Sequence, residues 1–202
     1  FSANVIHGHK TGYFLDHRHN RKKVGELSKN KTVLDVFSYA GGFSVHALHC
    51  GAKSVTSLDI SAQALEIAKQ NVALNQLEAK HRILVGDAFQ KMGELEEKGK
   101  QFDIVIVDPP SFAKRDSETE KALKAYAQLT KLAIDLTAKN GILVSASCSS
   151  RVSAEMFFET VLSELKQSNR PFREIERTFH DVDHPIGFEE GRYLKCGYFV
   201  LF

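Results

Sequence analysis

TVLDVFSYAGG, residues 32–42, passes from a β-rich apolar run straight into a glycine pair. Five apolar or β-branched positions suit a short buried strand, and the glycines let the backbone approach a ligand closely before a helix begins at about Phe43. The rest of the chain repeats that plan. Strands are expected at Thr32–Phe37, Ser54–Asp59, His81–Val85, Phe102–Val107 and Ile142–Ala146. Helices fall between them, at Ser61–Leu74 with Ser61 as N-cap and Leu65, Ala68 and Val72 on one face, at residues 117–138, and at 153–166. Gly141 marks the turn into the fifth strand, and two late β-like runs lie near Phe172–Phe179 and Tyr193–Phe202. Alternation of this kind predicts an α/β fold: a seven-stranded sheet, mostly parallel with an antiparallel last strand and helices on both faces. Residues 1–30 read as a basic N-terminal extension and 31–202 as the domain proper.

Composition excludes several classes. The 202 residues suit one α/β domain, and no apolar run approaches the roughly 20 residues that cross a bilayer. Three cysteines, Cys50, Cys148 and Cys196, form no disulfide framework, which fits a cytoplasmic protein. His7, His9, His17 and His19 cluster without zinc-ligand spacing, so a solvated basic segment accounts for them and no metal is expected. The net charge is only +2, but Lys10, Arg18, Arg21, Lys22 and Lys23 are set against one acid, Asp16, in residues 7–23. Such a stretch can meet phosphates or simply line a solvated helix face.

In an open parallel sheet, ligands bind beyond the carboxyl ends of the strands. Acids stand at four successive strand ends: Asp35 in the first strand's DVFSYAGG, Asp59-Ile60 after the second, Asp87 in GDAF after the third, and Asp108 in DPPSF after the fourth. Any one could be a helix cap; four in register point to a ligand site. Phe37 and Tyr39 stand where a GxGxxG turn would have glycines, which weighs against a dinucleotide. Asp59 suits ribose hydroxyls, while Asp87 and Phe89 suit an adenine edge and face.

Asp35…Gly41-Gly42, Asp59, Gly86-Asp87-Ala88 and Asp108-Pro109-Pro110 resemble the ordered motifs of the class I S-adenosylmethionine-dependent methyltransferases, whose sheet is Rossmann-like. Within that class, KTGYFLDHRHNR (Lys10–Arg21), DVFSYAGGFSV, DPPSFA, SCSS and EGRYLKC resemble the bacterial large-subunit ribosomal RNA cytosine-5 methyltransferases. His17 departs from that family's usual glutamine, and the N-terminal PUA RNA-binding domain its members carry is not in these residues. The resemblance implies S-adenosyl-L-methionine as cofactor, with S-adenosyl-L-homocysteine as product. It places Asp35, Phe37, Ser38, Gly41, Gly42, Asp59, Ile60, Asp87, Ala88, Phe89 and Asp108 at the cofactor, and Asp16 and Arg18 at its amino and carboxylate ends. The runner-up for Asp16 and Arg18 is a salt bridge at a helix start. RNA, specifically large-subunit ribosomal RNA, is the implied partner, and the oligomeric state is left open, a dimer included.

Cytosine C5 is a poor nucleophile, so its methylation needs a thiolate that adds at C6 and makes C5 enamine-like; a base then takes the C5 proton and the thiol leaves. Cys148, in the polar turn SCSS after the fifth strand, is the expected nucleophile, against a reading as a small buried residue. Cys50 and Cys196 read as core packing. Asp108 is expected at the base's N3/N4 edge or as proton acceptor, and Pro109, Pro110 and Phe112 against a flipped base. Guanine N7, an amino nitrogen and uracil C5 remain alternative targets, and a non-catalytic cofactor- or RNA-binding module is the alternative of another class.

Overall fold

The structure, a computed structural model, describes residues 1–2, 13–188 and 191–202. Its seven strands are β1 (Thr32–Val36), β2 (Ser54–Asp59), β3 (His81–Val85), β4 (Phe102–Val107), β5 (Thr137–Ser147), β6 (Phe172–Thr178) and β7 (Lys195–Leu201). The helices are α1 (Arg18–Leu27), α2 (Gly42–His49), α3 (Ala62–Ala73), α4 (Ala88–Glu97), α5 (Thr119–Leu136) and α6 (Ala154–Gln167). The sheet order is β3-β2-β1-β4-β5-β7-β6. β1, β2 and β3 run parallel, as do β4 and β5, while β7 is antiparallel to both β5 and β6. The expected α/β architecture and its antiparallel last strand are therefore present. The chain divides into two compact units, Phe1–Lys91 and Met92–Phe202.

In the first unit, Val33, Leu34, Val36, Val55 and Leu58 from the strands are at most 1% exposed, as are Leu65, Ala68 and Val72 from α3. Burying each large side chain contributes about 2 kcal/mol. The Ser61 hydroxyl caps α3 by accepting from the Ala64 N–H at 3.2 Å, as its position predicts. β3 is half exposed because it forms the sheet's edge. A polar chain crosses this apolar core. The Asp35 carboxylate accepts from the Ser44 backbone N–H (3.0 Å) and hydroxyl (2.6 Å); the Ser44 hydroxyl meets Ser57 at 2.6 Å, and Ser57 meets His81 Nε2 at 2.7 Å.

The second unit buries Ile104–Val107 of β4, Leu143 and Val144 of β5, Phe157 and Phe158 of α6, and Tyr198 and Phe199 of β7, each at most 2% exposed. Ser153 caps α6 through the Met156 N–H. Helix α5 stops at Leu136, two residues earlier than its periodicity predicts. Thr137 already has an extended backbone, and its hydroxyl returns to the Ala133 carbonyl at 2.6 Å. Arg170 holds this end by donating to the carbonyls of Ile134, Thr137 and Ala138, groups a helix terminus leaves unsatisfied. Gly141 lies within β5 and not before it. The chain bends there: Asn140 has φ 61°, the register against β4 shifts between Phe102 and Ile104, and a Cβ on Gly141 would come within 2.7 Å of the Ala138 carbonyl.

Three further expectations need correction. β1 ends at Val36, because Phe37 turns to φ 64°. Cys50 is exposed, since it caps α2 after His49 and does not continue the apolar face. The N-terminal basic stretch is only partly solvated: His17 is 3% and Arg21 4% exposed. Arg21 lies over the Tyr13 ring at 4.4 Å and donates to the Phe14 carbonyl, and the His17 ring meets Phe43 at 5.5 Å. His7, His9 and Lys10 lie outside the described residues.

Burial, with the nearby Lys69 charge second, lowers the His81 pKa from 6.5 to about 4, so the native first unit holds a neutral imidazole. A folded-state value below the unfolded one means that stability is present above pH 6.5 and is lost as pH falls toward 4. The thermal midpoint is therefore expected to fall between pH 7 and pH 5. His81→Gln, which keeps a hydrogen-bonding partner for Ser57, flattens that dependence; an unchanged slope in this variant would remove His81 as its source.

Candidate active site

The loop after β1 carries the backbone signature of a ligand cradle in the first unit. Phe37 (φ 64°) and Tyr39 (φ 48°) adopt left-handed conformations that non-glycine residues rarely hold without cause, and Gly41 (φ 77°) is the N-cap of α2. A side chain on Gly41 would strike Ala68 Cβ of α3 at 2.9 Å. Ser38 is buried, and its hydroxyl has no hydrogen-bond partner among the described residues. Asp59 braces the loop from the end of β2: one carboxylate oxygen accepts from Tyr39 N–H and the other from Ser61 N–H, each at 2.9 Å. Each oxygen keeps a further lone pair, so two ribose hydroxyls can still donate to it. A positively turned glycine, an unsatisfied buried hydroxyl and an anchored carboxylate fit S-adenosylmethionine.

The other expected cofactor residues occupy varied settings. Asp35 is 1% exposed and engaged with Ser44, so it sets the direction of α2. A Cβ on Gly42 would crowd Arg21 Cδ at 3.1 Å. Ile60 is 71% exposed, and Ala88 is buried with Phe89 half-buried beside it. Asp87 is exposed and accepts from Gln90 N–H at 3.1 Å at the start of α4. Asp16 is buried in the short 3-10 helix Leu15–His17, and Arg18, the first residue of α1, is exposed.

In the second unit, the DPPSF and SCSS segments come together across 39 positions of sequence. The half-buried Cys148 thiol donates to the Pro109 carbonyl at 3.7 Å. Both Ser111 (3.0 Å) and Ser149 (3.2 Å) donate to the Ala113 carbonyl, pinning the two loops to one acceptor. Pro109 is buried and Pro110 exposed. The half-buried Phe112 ring packs on Tyr126 of α5 at 5.2 Å. The Tyr126 hydroxyl meets that of Ser147 at 2.8 Å, and Ser147 Oγ accepts from Ser149 N–H. Burial raises the Tyr126 pKa; its bond to Ser147 opposes this, while the negative charges of Cys148 and Asp108 add to it. That phenol therefore stays protonated, and Asp108 and Cys148 act on one neighbourhood.

Sequence reasoning missed Tyr126, Ser147 and Lys195. Tyr126 is hidden in the apolar spacing of α5, with Ala122 and Leu129 on the same buried face. Lys195 left a signal: a lone cation heading the apolar strand KCGYFVL, and it is 1% exposed. A cleft of about 610 Å³ lined by Gln101, Asp135, Lys139 and Arg170 opens at the opposite ends of β4 and β5, and no expected site residue lines it.

Comparison with known proteins extends these observations. The chain is 47% identical over 197 residues to a ribosomal RNA large subunit methyltransferase of Deinococcus radiodurans, covering 97% of this chain and 48% of that protein. It is 40% identical to ribosomal RNA large subunit methyltransferase I of Tolumonas auensis, covering 96% and 50%. The chain thus spans about half the length of the curated relatives it matches. Among solved structures, SMU.776 in complex with SAH superposes with a TM-score of 0.84 at 27% identity, over 94% of this chain and 50% of that one. An S-adenosylmethionine-dependent methyltransferase from Agrobacterium tumefaciens shares the fold, with a TM-score of 0.70 at 20% identity over 95% and 63%. Residues 1–190 match the S-adenosylmethionine-dependent methyltransferases as a family, and together with the glycine-turned cradle after β1 this match means that the chain belongs to that family.

Proposed function

We propose that this chain is the catalytic part of an RNA methyltransferase that forms 5-methylcytidine in large-subunit ribosomal RNA, with Cys148 as nucleophile. The observation that carries the reading is the pairing of Cys148 with the DPPSF loop through the Pro109 carbonyl. A methyltransferase acting on nitrogen has no use for a thiol there, whereas methylation at pyrimidine C5 calls for one to add at C6. The relatives' names supply the substrate class, large-subunit ribosomal RNA.

In the first unit, the Phe37–Gly42 turn and Ser38 would hold the methionine portion of S-adenosylmethionine, Asp59 the ribose, and Asp87, Ala88 and Phe89 the adenine. Asp16 and Arg18 would meet the amino acid end. When bound, the cofactor supplies a methyl group activated by its sulfonium.

In the second unit, the Cys148 thiolate adds to C6 of the pyrimidine, and the C5–C6 double bond's electrons move so that C5 becomes nucleophilic. Asp108 faces the N3/N4 edge; bonding at N3 requires a shared or added proton. After methylation a base takes the C5 proton, the double bond reforms, and the Cys148 thiolate leaves. Asp108 is a candidate for that base. Phe112, backed by Tyr126, offers a ring for a flipped base to stack on.

Methyl transfer from labelled S-adenosylmethionine to unmodified ribosomal RNA, using the full-length protein and nucleoside analysis, tests the reading. Label in 5-methylcytidine is expected; label in N7-methylguanosine or on an amino group would overturn the nucleophile assignment. Cys148→Ala is expected to lose transfer by at least ~10³-fold while binding the cofactor normally. Asp59→Ala is expected to weaken cofactor binding by ~10–100-fold in calorimetry, the scale of hydrogen bonds to a charged group, with retained folding checked by circular dichroism.

A further inference from the structure

Lys195 opens β7 directly opposite Ser147, the residue before Cys148. A buried ammonium costs several kcal/mol unless its donors are satisfied. All three N–H donors of Lys195 have backbone partners: the Ser149 and Val152 carbonyls, each at 2.5 Å, and the Tyr193 carbonyl at 3.0 Å. Two of these acceptors bracket the turn that follows Cys148. None is a carboxylate, so hydrogen bonding satisfies the donors, and among the described residues no carboxylate pairs directly with this ammonium.

Among the described residues, Cys148, Glu155, Asp108, Tyr126 and Tyr198 bear on this neighbourhood besides Lys195, and Arg151 of the clamped turn pairs with Asp116 at 3.4 Å. Cys148 acts on the Lys195 charge more strongly than Glu155, which is in the first turn of α6. Asp108 acts on Tyr126, as Cys148 does. The Pro109 carbonyl accepts from the Cys148 thiol and so favours its protonated form. A nearby cation offsets that preference.

We propose that Lys195 is a positioning residue for the Cys148 reaction: it clamps the Ser149–Val152 turn and directs a positive charge at the sulfur, favouring thiolate over thiol. This rests on the reading of Cys148 as nucleophile. On ionisation the S–H bond breaks and the proton leaves to water, while the ammonium keeps its three protons on the carbonyls. Burial lowers the Lys195 pKa to about 8, so its support is present below that pH and fades above it.

The test is the pH profile of Cys148 alkylation by iodoacetamide between pH 5.5 and 9, read by peptide mass spectrometry so that the exposed Cys50 does not interfere. Lys195→Met is expected to move the midpoint up by about one unit, slowing alkylation near pH 7 by about tenfold, and Lys195→Arg to restore most of the rate. A folded Lys195→Met protein with an unmoved midpoint overturns the proposal. Should Lys195→Met not fold, Lys195→Gln, which keeps donors but no charge, decides the matter by the same midpoint. Methyl transfer by Cys148→Ala separates the two readings: retained transfer beside a shifted midpoint would defeat the nucleophile and leave the thiol–lysine coupling standing.

Discussion

The buried carboxylate of Asp35 is the constraint on which the first unit depends. A charge that is 1% exposed calls for converging donors, and Ser44 brings both a backbone N–H and a hydroxyl to one of its two oxygens. That requirement fixes where α2 begins and how it is turned against β1. With α2 fixed, the chain between them is the five residues Phe37–Gly41, and three of those five take positive φ. The strain of this loop is sustained by what surrounds it: Asp59 draws in the Tyr39 N–H, and Ala68 of α3 leaves room only for a glycine at position 41. Ser57 and His81 carry the same polar chain across β2 and β3. The cradle is thus a product of how the sheet's polar interior is satisfied.

The second unit solves a different problem. Cys148 sits in a turn, where local structure would not hold it still. Carbonyl groups do the holding: Pro109 takes the thiol, Ala113 takes two serine hydroxyls, and the Lys195 amine gathers the backbone beyond. These partners come from two stretches of chain outside the turn, residues 109–113 and Lys195, so the turn is held from both sides.

Much of this was legible in the residues. Strand positions followed from β-branched runs, α3 from its serine cap and apolar face, and α6 from its helical stretch at 153–166. What the residues did not reveal depends on non-local partners. Helix α5 stops at Leu136, where Thr137 turns extended and Arg170, more than thirty positions away, donates to the Ile134 and Thr137 carbonyls at the junction. Gly141 bends inside a strand because β4 continues to pair around it. Cys50 looked like core because an apolar helix precedes it, but a helix cap faces outward. Lys195 and Tyr126 were passed over because their polar ends find partners only once β5, α5 and β7 are packed.

The position of β7 has a consequence for how the molecule is made. It is the last strand in the chain, yet it lies between β5 and β6. During synthesis β5 and β6 therefore emerge with no strand between them, and the sheet closes only when β7 arrives. Lys195 travels with that segment. The turn bearing Cys148 is thus secured only once β7 is in place, and until then its thiol sits in an unfinished setting.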